Sequence, residues 1–258
     1  MGLNGSLKFT ERGHNWRIKM ILYEGKSRLD AKPIVVILTG LDNKTNNPKT
    51  GDMLQTWIMR QDIAPNEALK TGDDYSVCGD CKHRPLKKGK CYVNVWQAPL
   101  QIWKKYKRGG YSKPSRREVR ELVSGRLVRL GAYGDPMAAP IGMWHNVLET
   151  AKGHTGYTHQ WKMFRTDNGK WQALVMASVD NGNEAMHAHR KGFRYFRVKP
   201  KNKPAPMYIY DCDTDDMTMA EVSCPASKEA GEKTQCAKCL LCSGTSSNSW
   251  KAIAIIQH

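Results

Sequence analysis

The sequence predicts an α/β protein organised as a (β/α)8 TIM-like barrel, complete or irregular, with an N-terminal β-hairpin and cysteine-bound metal sites. Three observations carry that expectation. From residue 127 onward, short apolar β-branched runs alternate with helical patterns at the pitch of parallel β/α units. The strand-like runs number roughly six to eight, close to the count a barrel needs. No G-x-G-x-x-G or Walker pattern favours the alternative, an open nucleotide-binding sheet. At 258 residues and 40% hydrophobic content, the chain is long enough for one large core. Residues 1–258 therefore read as a single domain: 1–70 a hairpin extension, 71–258 the barrel with metal-binding inserts.

Taken in order, residues 1–30 carry little pattern. Pro33–Thr39 is apolar and β-branched, and Met53–Met59 reads as its returning strand across a turn-rich loop at 42–51. Residues 60–77 read as a polar connection. Tyr92–Trp96 suits a strand or a helix start, and Gln97–Tyr106 a helix ended by Gly109-Gly110. Ser115 with Glu118 three residues on forms a capping box for a helix over Arg116–Val123. Strands then follow at Leu127–Tyr133, Thr155–His159, Ala173–Val179, Phe193–Val198, Met207–Tyr210 and Ala252–Ile256. Helices intervene at Ile141–Lys152 and Asn183–Lys191, and another is expected between Ser243 and Trp250.

The formal net charge is +17. Lysines and arginines such as Lys87, Lys88, Lys104, Lys105, Lys107, Arg108 and Arg194 are interleaved with Trp96, Trp103, Tyr106, Tyr111 and Tyr195. Positive charge beside flat rings suits a polyphosphate backbone and its bases, so a nucleic acid is the expected partner. No 18-residue apolar run suggests a membrane span, and the N-terminus lacks the apolar stretch of a signal peptide. The expected location is the cytoplasm.

Seven of the eight cysteines fall into two groups. In Cys236-x-x-Cys239-x-x-Cys242, with Cys224 upstream, a tight turn can aim several sulfurs at one point. Either Cys224 or the terminal His258 completes that set. Cys78, Cys81 and Cys91 form the second group, with His83 or Cys224 as its further ligand. Zinc is the expected metal, with an iron–sulfur cluster as the alternative. Cys212 stands apart and reads as a packed thiol.

In parallel β/α folds, chemistry gathers where strands end at their carboxyl side. Asp135 in Gly134-Asp-Pro136 and Asp180 in Ser178-Val-Asp-Asn181 each follow an apolar strand, and His159 ends the strand between them. Two carboxylates and an imidazole facing one pocket suit a nucleophile paired with a general acid/base. Arg129, on the strand leading to Asp135, suits orienting a carboxylate or phosphate and equally suits an ordinary salt bridge. The same aspartates also suit ordinary caps and turns. Asp211 and Asp213 open an acidic run that reads mostly as a solvated loop.

The order Gly-Lys-Cys91-Tyr92, Gly134-Asp135, Tyr157-Thr-His159, Ser178-x-Asp180-Asn181 and Cys224-Pro225…Cys236-x-x-Cys239-x-x-Cys242 resembles a family of phage- and plasmid-encoded proteins. More loosely it is similar to the tRNA-guanine transglycosylases and their phage relatives, the 7-deazaguanine DNA transglycosylases. That resemblance implies a β/α barrel with a zinc site near the C-terminus, mimicked by Cys236, Cys239, Cys242 and His258. It implies exchange of guanine in DNA for a free 7-deazaguanine base. Asp180 would be the nucleophile and Asp135 the acid/base, with His159 at the same mouth. Tyr157, Arg129, Gly134, Ser178 and Asn181 would surround the base. Two other readings stand beside it: a radical-SAM-like iron–sulfur enzyme, and a non-enzymatic zinc-stapled DNA-binding protein.

Overall fold

A continuous ten-stranded sheet runs in the order β1-β2-β3-β4-β5-β6-β7-β10-β9-β8. The structure, a computed structural model, describes residues 20–42, 47–89, 91–163, 170–200, 208–211, 216–247, 249 and 251–256. The first three strands, β1 (Met20–Lys26), β2 (Pro33–Thr39) and β3 (Leu54–Arg60), form an antiparallel meander. The expected hairpin is thus present, with β1 added in front of it where the sequence had little pattern. It is not an appendage: β3 pairs in parallel with β4 (Leu127–Tyr133) and so belongs to the main sheet.

Four helices connect β3 to β4. Two short ones, α1 (Pro65–Thr71) and α2 (Tyr75–Cys78), occupy the stretch expected to be a bare connection. Next come α3 (Ala98–Lys107) and α4 (Arg116–Val123); α4 starts with the expected capping box, both Ser115–Glu118 hydrogen bonds being made. Residues 92–94 adopt no regular structure and a turn follows at 95–97, so Tyr92–Trp96 is neither the strand nor the helix start that its pattern suits. Beyond β4 lie α5 (Ile141–Leu148), β5 (Gly153–Thr158), α6 (Lys170–Leu174), β6 (Met176–Val179), α7 (Gly182–Arg190) and β7 (Tyr195–Lys199). The expected strand at Ala173–Val179 is split: its first residues close α6 and only the last four extend. The chain then makes an antiparallel hairpin, β8 (Tyr208–Asp211) and β9 (Asp216–Ser223), passes a one-turn α8 (Cys236–Cys239) and ends in β10 (Ala252–Ile256). Where a helix was expected after Ser243, the described residues hold a single 3-10 turn at Gly244–Ser246.

From β3 through β7, β10 and β9, every neighbour is parallel. Sequential parallel strands joined by right-handed crossovers put all connecting helices on one face. Burial agrees. Val128, Leu130, Ala177 and Val179 pack with Val119, Val123, Trp144, Val147 and Ala185 in the larger core. Residues alternate with these along each strand, and Arg129, Tyr157, Ser178, Phe196 and Ile253 face the other, inner side, where a cavity lies.

The α/β class and the mainly parallel sheet match expectation, but the eight-stranded closed barrel does not form. A closed (β/α)8 barrel needs eight parallel strands in one ring. Here an antiparallel meander ends the ladder at β1, and an antiparallel hairpin ends it at β8. The last strand, β10, slots between β7 and β9 instead of closing against β1. Among the described residues no helix is long and apolar enough to cross a membrane.

Candidate functional site: a thiol-lined cavity

The inner face of the sheet encloses a cavity of about 520 Å³ with cysteines at both ends. One end lies where β4 and β5 finish at their carboxyl side. There Cys78 closes α2, and the chain after it carries Cys81 and Cys91. Its turn needs a glycine: Gly79 has φ +53°, and a Cβ there would strike the Gln160 side chain at 2.3 Å. Gln160 instead grips the loop, donating to Cys78 O at 3.0 Å and accepting from Asp80 N at 3.3 Å. Arg84 ties the same loop from behind, with Nε donating to Asp74 at 2.9 Å and Nη2 to Gly72 O at 2.8 Å. Behind α2, buried Arg60 donates to Asp62 and to Ser76 Oγ, and Ser76 donates to Asp30. Buried charges hold only when paired in this way. The network therefore fixes where the first thiols stand.

The opposite end of the cavity is floored by residues 224–243, which cross the inner face. Cys236 N donates to Lys49 O at 2.9 Å and Ala237 N to Thr50 O at 3.0 Å, tying the segment to the loop before β3. Gly156 N on β5 donates to Cys242 O at 2.9 Å. Buried Arg194 clamps the far side through Leu241 O and Gly244 O, both at 2.8 Å. Cys224 and Cys242 are buried with Met176 and Ile253 in a small apolar cluster of their own. So Cys224 belongs with its near neighbours and not with Cys78.

All seven described cysteines are free of disulfides. Burial pushes the Cys81 and Cys242 thiols up to about 12, and neighbouring thiols add to both shifts. Cys78, Cys91 and Cys236 are raised for the same first reason. Bare, such thiols stay protonated at neutral pH, and a bound cation is what would turn them into thiolates. Among the described residues, no group of three or more Cys, His, Asp or Glu side chains is placed to hold a metal ion. His258 and Cys212 lie outside the described residues.

Of the two expected carboxylates, only Asp135 lines the cavity. It follows β4 through Gly134, whose φ of +82° and contact with Ile58 leave no room for a side chain. Both Asp135 oxygens are engaged: Oδ1 accepts from Met137 N at 3.0 Å and Thr158 Oγ1 at 2.8 Å, Oδ2 from His159 N at 2.8 Å. Burial nevertheless raises its carboxyl to about 6, against the pull of those donors. Asp180 sits behind His83. Burial opposes its ionisation, but His83 Nε2 at 3.0 Å and Lys82 at 2.9 Å outweigh it and hold its pKa below the ordinary value. The two aspartates therefore do not form an open pair facing one pocket.

His159 lines the cavity with its ring 5.6 Å from that of His83. Burial, then the charge of His83, lowers it to about 4, so it is neutral. Tyr157 packs on Phe196 with ring centres 4.7 Å apart and lies beside Cys242. Arg129, Gly134 and Ser178 also line the cavity. Asn181 does not: its side chain caps α7, accepting from Glu184 N at 2.9 Å. Sequence reasoning missed Tyr133 and Lys49 as lining residues, and Gln160 as the grip on the thiol loop. Tyr133 had a signal, ending the strand two residues before Asp135.

Not all aromatics interleaved with the basic residues are free. Trp103 donates to Arg60 O and Tyr106 to Glu24. Tyr92 and Trp96, by contrast, are 80% and 52% exposed, and Tyr92 borders the cavity. Fold and site together define an open, mainly parallel α/β sheet with a thiol-lined cavity. Comparison with protein-family models, curated proteins and solved structures finds no match.

Proposed function

We propose that the protein is a metalloenzyme acting on a nucleic-acid base, with its reactive centre at Cys78, Cys81 and Cys91. The observation that carries this reading is the placement of three thiols at the carboxyl end of parallel strands, opening onto a chamber. Chemistry in β/α folds gathers at that edge. Three protein ligands leave a coordination position for substrate, whereas four close a site. Catalytic zinc sets generally include imidazole, while an all-thiolate triad suits an iron–sulfur cluster. Iron–sulfur is therefore assigned to the first group and structural zinc to Cys224, Cys236, Cys239 and Cys242. When bound, the cluster supplies one-electron chemistry. Around it, Gln160 and Arg84 hold the thiol loop, and Lys82 and His83 contact Asp180 at its rim. Tyr92 and Trp96 offer flat faces on which bases stack. DNA as partner is supported by the +17 charge.

The test is iron and zinc content of anaerobically purified protein, with visible absorbance. A Cys78/Cys81/Cys91→Ser triple variant is expected to lose iron and colour while keeping zinc. Replacing Cys236, Cys239 and Cys242 should lose zinc and stability. Protein carrying no iron would sink the proposal.

Base exchange, guanine for 7-deazaguanine in DNA, is a second reading with one observation in its favour. Asp135 lines the cavity with a carboxyl near 6, in the range of a general acid. Trapping a covalent protein–DNA adduct tests it: no adduct in wild type, or one surviving both Asp135→Ala and Asp180→Ala, counts against an aspartate nucleophile.

A further inference from the structure

Arg129, on β4, is half-buried and lines the cavity. It donates to Tyr92 Oη at 2.7 Å, and no Asp or Glu pairs with it among the described residues. A guanidinium carries five donors in a planar fork that matches an oxyanion. Lys49 lines the same region. Tyr133 and His159 also line the cavity, and their Oη and Nε2 atoms are buried with no hydrogen-bond partner among the described residues. Buried polar atoms are paired as a rule, so two orphans in one chamber point to a ligand. Tyr157 and Phe196, packed on each other, and Gly131 line the same cavity.

We propose that the cavity binds a nucleotide unit, its phosphate on Arg129 and its base edge on Tyr133 and His159. The ligand this chamber asks for is anionic at one end, neutral and hydrogen-bonding at the other, and flat between. The volume of about 520 Å³ lies within the range of small-ligand sites. Choosing a nucleotide among flat anions rests on the nucleic-acid reading above; the anion subsite itself does not.

Calorimetric titration of the full chain with dGMP, deoxyguanosine and inorganic phosphate at fixed ionic strength tests it. dGMP is expected to bind at least about tenfold tighter than deoxyguanosine. Arg129→Gln should erase that preference and Arg129→Lys keep part of it. Tyr133→Phe should weaken dGMP and deoxyguanosine alike and leave phosphate unchanged. Absence of dGMP binding, equal affinity for nucleotide and nucleoside, or an unchanged preference in Arg129→Gln overturns the proposal. So does an Arg129→Gln protein that loses metal but keeps the preference, since Arg129 would then balance the Cys236 group. Metal content of the same samples separates the two readings. Nucleotide binding without iron sinks the reactive centre and leaves the subsite; iron without nucleotide binding sinks the subsite alone.

Discussion

Replacing Asp135 separates its structural role from a chemical one, and the structure sets the size of the effect. The carboxylate is buried and accepts from Met137 N, Thr158 Oγ1 and His159 N. Its pKa stands near 6, against 3.8 unperturbed. A carboxyl with a raised pKa binds a proton more readily in the folded chain than in the unfolded one. Stability therefore rises as pH falls from 7 through 6, and the gain is complete below 3.8. Between pH 7 and pH 5 that linkage amounts to about 1.3 kcal/mol. Asp135→Asn is neutral throughout, so it should lack this gain. At pH 7 it sheds a buried charge but turns an amide N–H toward the His159 N–H, costing about 1–3 kcal/mol; the net change stays small. Asp135→Ala leaves three buried donors without an acceptor and should fall at least about 2 kcal/mol below Asp135→Asn. Urea unfolding at pH 7 and pH 5, followed by fluorescence of buried Trp144, Trp161 and Trp171, reads all three proteins. Equal pH responses in wild type and Asp135→Asn, or an alanine variant as stable as the asparagine one, would refute the reasoning.

Glu221 and Arg197 are paired in a buried bidentate bridge, with Arg197 Nη2 donating to Glu221 Oε2 at 2.6 Å, across β10 from β9 to β7. Glu221→Ala strands the guanidinium and should cost about 3–5 kcal/mol in chemical denaturation, much of it recovered by an apolar replacement of both residues. His154 is buried on β5 against Leu174 O, at 2.9 Å, and burial lowers its pKa. Its contribution is present above the unfolded value of about 6.5 and lost as pH falls, by up to about 1.4 kcal/mol per pH unit; His154→Gln should remove that slope in unfolding curves. Ser115→Ala removes the side-chain acceptor of the α4 capping box and should lower stability by about 1 kcal/mol in thermal or urea unfolding.

Local patterns were legible where local chemistry decides structure. β2, β4, β7 and β10 are short apolar runs bounded by turn residues, and α4 is announced by Ser115 and Glu118. β9 was not legible. Its acidic start, Asp216, reads as loop, and only pairing with β8 and β10 makes it a strand. The site was half legible for the same reason. Thiols at two-residue spacing identify themselves, whereas a carboxylate's role depends on who reaches it. Asp135 and Asp180 sit at strand ends as expected, but Thr158, His159, Lys82 and His83 take up their oxygens.

By itself, the amino-acid sequence determined the α/β class, the parallel run, the two cysteine groups and the strong positive charge, because spacing, β-branching and composition are local properties. Only the tertiary structure decided that the sheet stays open, with β10 slotted between β7 and β9. Only it placed Cys224 with Cys236 and Cys242, and put both thiol groups at opposite ends of one chamber. Arg129, Tyr133 and His159 share that chamber through strand register and curvature, which bring together residues that no spacing along the chain relates.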